Sequence, residues 1–170
     1  MAIMAVIHPF NATTPNNETY SRLFLREDEL QFGLAAIFEV AAVLKNMCVD
    51  DCNNAQINWA EAKAIIAIGA KADTVLNLAK RMAVTKQAFT KTLRNLEKRQ
   101  IMARIDDSRD RRRKVISLTE LGREVERELG NAMRGVLAEA YRNVGADAVF
   151  GSDQVLWSII ATSKPPKRNK

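Results

Sequence analysis

Residues 85–118 constrain the chain most: a two-faced helix is followed at once by a hairpin with a charged tip. At ~100° per residue, with Phe89 set at zero, Leu93 and Leu96 fall within about 40° of it. Gln87, Arg94, Lys98 and Lys91 fall at roughly 140° to 200°, and Thr90 near 100°. One face can dock on a core, while the opposite face carries cations, an amide and a hydroxyl. Thr85 is the predicted N-cap, and Val84 and Phe89 have the spacing of a hydrophobic staple. Residues 102–105 (MARI) form a strand-like run, 106–113 (DDSRDRRR) a charged turn, and 114–118 (KVISL) a second run rich in β-branched residues. Strand, loop, strand predicts a hairpin.

The charge gathers in the same region. Residues 71–114 hold fourteen Lys and Arg against five Asp and Glu, a net +9, in a chain of net +6. The remainder, with twelve basic and fifteen acidic residues, is slightly acidic. A local excess of this kind is an electrostatic footprint for a polyanion. The plainer alternative is a solvated charged face. Arg, Lys, Gln and Thr opposite an apolar stripe suit a helix that enters a major groove, where they reach bases and phosphates. A shorter helix is predicted just before it, after Asp73 or Thr74. Two short helices joined by a tight turn make a helix-turn-helix, and the hairpin that follows is a wing.

The rest of the chain frames that unit. Its 170 residues suggest one domain, or one domain with extensions, long enough to bury a core without staples. With 47% hydrophobic residues, Gly 7 and Pro 4, the composition is that of a helix-rich globular protein and excludes collagen-like and wholly disordered chains. Residues 1–21, with Pro9 and Pro15, read as a flexible arm. From Ser21, a plausible cap, to about Met47, Leu23, Phe24, Leu30, Leu34, Ile37, Phe38, Ala41 and Leu44 recur at helical spacing. Asp50, Asp51, Asn53 and Asn54 break the pattern. Asn58 and Glu61 form a capping-box pair for a helix to about Gly69. Thr119 caps a long helix to about Asn143, ended by Gly145, and a last helix spans 146–160. The basic, Pro-broken stretch 163–170 is expected to be disordered. Phe32, Phe38, Val136, Leu137, Tyr141, Phe150, Leu156, Trp157 and Ile160 are more apolar surface than one small domain hides. They predict an interface or else an intramolecular core.

Several classes are disfavoured. No unbroken run of 18 apolar residues predicts a membrane span, and the N-terminus lacks the basic and apolar regions of a signal peptide. Two cysteines make no disulfide framework, and a reducing compartment fits. Cys48 and Cys52, four apart, share a helix face. A thiol switch, a zinc site and inert buried thiols stay open, with zinc weakened because His8, the only histidine, is far off in sequence. No Gly-rich phosphate loop or nucleophile elbow occurs. No catalytic residue, metal ligand or cofactor is predicted, and the chain is not expected to be an enzyme.

The stretch DDSRDRRRKVISLTELG resembles the wing signature of the MarR-type winged helix-turn-helix transcription regulators, roughly D-P-x-D-R-R, a strand, then L-T-x-x-G. Asp107, Asp110, Arg111, Arg112, Leu118, Thr119 and Gly122 fall in register. Leu78-Ala79, Val84-Thr85, Leu93, Leu96-Glu97-Lys98 and Arg104 also match, so the detailed likeness covers about residues 58–123. Two positions depart: Ser108 stands where the family has Pro, and Gln100 where Gly is usual. Gly there eases a left-handed turn, and Gln100 would cost about 1 kcal/mol.

The resemblance implies a mainly α fold with a small β-hairpin wing, a winged helix-turn-helix flanked by N- and C-terminal dimerisation helices. The expected division is an arm (1–21), an N-terminal dimerisation helix (22–57), the DNA-binding domain (58–118), C-terminal dimerisation helices (119–162) and the tail (163–170). It implies a homodimer on double-stranded DNA, reading a pseudo-palindrome with half-sites ~34–36 Å apart. Gln87, Thr90, Lys91 and Arg94 are the base-edge and phosphate candidates. Thr85 and Lys86 sit where a helix start favours phosphate. Arg109 and Arg111 at the wing tip are candidates for the minor groove, Arg112 is a further DNA-binding candidate, and Asp110 is expected to pair with Arg112 and shape the wing. Family members often release DNA when a small phenolic or anionic ligand enters a crevice, for which Phe38 and Trp59 are the candidates. The expected role is a transcription regulator, a repressor, in the cytoplasm of a bacterium or archaeon at the nucleoid, with no membrane partner. The alternative is a low-specificity architectural DNA-binding or protein-interaction winged-helix module.

Overall fold

The computed structural model describes residues 27–107, 110 and 112–162. The arm, the tail, Ser21, His8, Arg109 and Arg111 lie outside the described residues. The chain divides into two compact units, Met1–Val40 and Ala41–Lys170. Helix α1 (Glu27–Met47) crosses the division, with Glu27, Asp28 and Glu29 in its first turn and Lys45 in its last. That polarity complements the helix dipole. No residue of α1 is buried. Contrary to the expectation from unbroken apolar runs, α1 is long and apolar enough to cross a membrane by length and composition, with hydropathy 1.3. Glu39 and Lys45 interrupt the run while leaving the average high.

The second unit carries α2 (Val49–Asn54), α3 (Trp59–Ala70), α4 (Val75–Arg81), α5 (Lys86–Lys98), β1 (Met102–Asp106), β2 (Lys114–Leu118), α6 (Glu120–Val144) and α7 (Ala146–Thr162). The strands pair antiparallel, Met102 opposite Leu118 and Asp106 opposite Lys114. The molecule is thus mainly helical with a small β-hairpin wing. Helix α3 packs on α5, α6 and β2, and α4 on α5. Ile65, Leu78, Leu93, Leu96, Ile101, Met102, Ile116 and Leu129 are fully buried where these elements meet.

The helix starts follow from their caps. Asn58 accepts from the Glu61 N–H at 3.0 Å while Glu61 accepts from the Asn58 N–H at 3.0 Å, a complete capping box. Thr74, Thr85 and Thr119 accept from the N–H groups of Asn77, Ala88 and Gly122 at 3.3, 3.1 and 3.0 Å.

The helix ends were harder to foresee. Gln56, Ala83 and Gln100 adopt left-handed conformations, with φ of 51°, 53° and 57°. Each donates to the carbonyl three residues back, and the next residue donates to the carbonyl five back. This Schellman geometry usually recruits Gly. Here buried Ile57 and Ile101 follow the turns that close α2 and α5, joining Cys52 and Leu96 in the core. That seal lets α2 form at Val49–Asn54, where the polar run predicted only a break. A left-handed non-glycine residue costs ~1 kcal/mol. Gln100→Gly should therefore raise stability by about 0.5 kcal/mol, the relief less the larger unfolded-state freedom of Gly. A urea midpoint measures it.

Gly69, predicted to end α3, lies inside it; the helix closes at Lys71, which is extended. A Cβ at Gly69 would sit 3.0 Å from Glu126 Cγ and 3.3 Å from Leu118 Cδ1, so the glycine serves close packing against α6. Gly145, at φ 81°, does end α6. Buried residues of α6 lie in its first half, and α7 has none. Val136, Leu137, Phe150, Leu156 and Trp157 are exposed, the last at 64%, and Tyr141 is half-buried.

Candidate nucleic-acid interface

Helix α5 is fixed by its apolar stripe: Phe89, Leu93 and Leu96 are buried. That burial turns Lys86, Gln87, Lys91 and Arg94 outward, all exposed, with Thr90 half-buried. Thr85, Lys86, Gln87, Thr90, Lys91 and Arg94, with the small Ala88 among them, line one open recess. Among the described residues no carboxylate pairs with Lys86, Lys91 or Arg94. The first turn of α5 holds no acid, so its free N–H groups and Lys86 together favour an anion. The Thr90 hydroxyl donates to the Lys86 carbonyl at 2.7 Å, leaving its lone pairs to accept.

Other cations of the basic stretch hold the fold instead. Arg99 donates to the Gln56 carbonyl at 2.8 Å and to that of Ala55, closing the end of α2. Arg81 donates to the carbonyls of Lys71 and Ala67 at the end of α3, at 3.1 and 3.2 Å. Arg104 meets Glu97 at 3.2 Å, and Lys114 meets Asp106 at 2.5 Å across the hairpin. These bonds leave the net charge unchanged but fix those cations in place, so they are not free to extend toward a polyanion.

Two acids position the elements. Glu61 is 5% exposed. One of its oxygens caps α3, and the other accepts from Asn95 Nδ2 at 3.2 Å, tying α3 to α5. The cap was legible from spacing, but a bond across 34 residues leaves no local pattern. The Asp73 carboxylate accepts from the Thr74 N–H and from Asn77 Nδ2, both at 2.7 Å. Its main-chain carbonyl accepts from the Ile116 N–H at 2.8 Å, which ties the wing to the loop before α4. Burial pushes the Asp73 carboxyl up, but the bonds from Asn77 and Thr74 and the charges of Lys71 and Arg81 outweigh this and hold it below the usual range.

In the wing, Asp110 accepts from the main-chain N–H of Arg112 at 3.0 Å, and its carbonyl accepts from Arg113 N–H at 2.9 Å. The expected contact with the Arg112 side chain is thus replaced by a backbone turn of the Asx kind, and the Arg112 side chain stays exposed. Arg113 lies 4.0 Å from Asp107. Phe38 is 68% exposed on α1. Trp59 is half-buried at the start of α3, with the Lys63 ammonium 5.9 Å from its ring centre. Among the described residues no three of His, Cys, Asp and Glu cluster as metal ligands.

The sequence pattern of the HxlR-like helix-turn-helix family matches residues 63–145, from within α3 through the wing to the end of α6. The HTH-type transcriptional regulator PetP of Rhodobacter capsulatus is 33% identical over 150 residues, 86% of this chain and 87% of the relative. The chain belongs to the helix-turn-helix transcriptional regulators. Solved structures share the fold of this regulator. NadR in complex with 4-hydroxyphenylacetate superposes with a TM-score of 0.66 at 18% identity, over 76% of this chain and 92% of that one. A MarR mutant from E. coli complexed with operator DNA gives 0.53 at 21% identity, over 80% and 98%. In this regulator α4 and α5 form the helix-turn-helix, and β1 and β2 form the wing.

Proposed function

We propose that this regulator is a sequence-specific repressor that binds a pseudo-palindromic duplex operator as a homodimer. One observation carries the reading: α5 buries Phe89, Leu93 and Leu96 and presents Gln87, Lys91 and Arg94 to solvent. Gln and Arg are the side chains that read adenine and guanine edges bidentately. Residues 58–118 bind DNA, with Arg109 and Arg111 of the wing as minor-groove contacts and Arg112 as a further DNA contact. Residues 22–57 and 119–162 hold the dimer, which supplies a partner for the exposed apolar faces of α1, α6 and α7. The site of action is the cytoplasm, where the operator is. The effector is a small aromatic or anionic molecule, a reading supported by the NadR complex with 4-hydroxyphenylacetate. Phe38 and Trp59 are each carried as candidate contacts.

Selection of bound sequences from random duplex DNA tests the reading. The expected product is an inverted repeat whose half-sites are about one helical turn apart. Recovery without enrichment would overturn it in favour of a low-specificity architectural module. Arg94→Ala should then cost ~1–3 kcal/mol on the selected operator and relax preference at one position of each half-site. Unchanged specific affinity removes Arg94 from the readers. Lys86→Ala should weaken binding to all sequences alike and lower the slope of log affinity against log salt by about 1. Gel shifts across a salt series separate the two effects.

A further inference from the structure

We infer that Cys48 and Cys52 form a two-thiol binding site for a trivalent metalloid oxyacid of the arsenite class. Both thiols are buried and unbridged. Cys52 Sγ donates to Cys48 Sγ at 3.7 Å, and Cys48 Sγ donates to the Lys45 carbonyl at 3.3 Å. The pair faces a cavity of about 180 Å³ that Lys45, Val49, Ile57 and Trp59 also line. Two sulfurs bonded to one centre at ~2.3 Å, with angles between a right angle and tetrahedral, lie ~3.3–3.8 Å apart. The observed separation falls within that span. A disulfide would need contraction to ~2.05 Å. A structural zinc ion needs four donors, and among the described residues no third donor joins the pair. A trivalent centre needs only the two thiols, and its remaining hydroxyl can face the cavity.

The protonation state suits the same chemistry. Burial first, and then the hydrogen bond with Cys48, push the Cys52 thiol up to about 11. It is therefore a poor thiolate nucleophile at neutral pH. Condensation with arsenous acid uses protonated thiols. Two As–S bonds form, two As–OH bonds break, and each departing hydroxide leaves as water with a thiol proton. Arsenic stays trivalent and no oxidant is required.

The full chain, reduced, would be titrated with arsenite alone and followed by intact mass and by tryptophan fluorescence in a Trp157→Phe background, where Trp59 is the remaining indole. We expect one arsenic per chain with loss of two waters, together with a change in Trp59 emission. Cys48→Ser and Cys52→Ser should each lose about a hundredfold in affinity, because each removes the second, intramolecular bond. Circular dichroism checks that the variants fold. Should they not, X-ray absorption of the wild-type adduct gives the count directly: two sulfur neighbours support the site, and one or three overturn it. An adduct that forms only in denaturant, or that forms with undiminished affinity in either serine variant, also overturns it.

Discussion

Gly122→Ala destabilises the protein by about 3 kcal/mol or more, well beyond ordinary surface substitutions. A Cβ at Gly122 would lie 1.9 Å from the Ile101 carbonyl oxygen, 3.0 Å from its carbon and 3.2 Å from Leu118 Cβ. The obstacle is backbone and cannot rotate away. The same carbonyl accepts from the Thr119 N–H at 3.1 Å. Relief would therefore pull the start of α6 off the turn that follows α5, and overpacking without relief is costly. Gly135→Ala is the control: nothing lies within 4 Å of a Cβ there. Ala in that helix interior should stabilise by about 0.5–1 kcal/mol. Urea unfolding of the two variants should thus move in opposite directions. A Gly122→Ala protein with an unshifted midpoint would contradict the close approach of α6 to Ile101.

Leu137→Asp combined with Trp157→Asp is the second large effect. Both side chains are exposed, at 48% and 64%, and neither belongs to the buried core. Each new charge would be desolvated in a subunit interface but remain hydrated in an isolated chain. The double variant should stay folded, sediment as a monomer and lose about a hundredfold or more in operator affinity, because the second half-site is no longer engaged intramolecularly. Sedimentation and gel shift on the same samples check both parts. A folded double variant that is still dimeric with full affinity would remove these helices from the interface.

Much of the fold was written in local patterns. The caps at Asn58, Thr74, Thr85 and Thr119 were legible because a side-chain oxygen satisfies N–H groups two or three residues on. The two faces of α5 followed from its period alone, as did the split between buried Phe89, Leu93 and Leu96 and exposed Lys91 and Arg94. What stayed hidden depends on partners distant in sequence. The turns at Gln56, Ala83 and Gln100 lack the usual glycine, and those at Gln56 and Gln100 rest on tertiary burial of Ile57 and Ile101 after them. The structural duties of Arg81 and Arg99 are bonds to carbonyls ten or more residues away, so the charge count alone treated them like Lys91. Gly122 shows both sides: the L-T-x-x-G pattern marked the position, but its physical reason is the Ile101 carbonyl, which no spacing rule places there.

The Thr119 clamp has a mechanical consequence. Its hydroxyl donates to the Gln100 carbonyl at 2.6 Å and accepts from the Gly122 N–H, so the first turn of α6 is pinned to the turn that closes α5. A helix of 25 residues is about 37 Å long. It acts as a lever arm hinged at that point, and a tilt of about ten degrees carries its free end through about 6 Å. Read in reverse, in the proposed dimer a small slide between the far ends of two such arms would swing both α5 helices out of step with the pitch of a duplex.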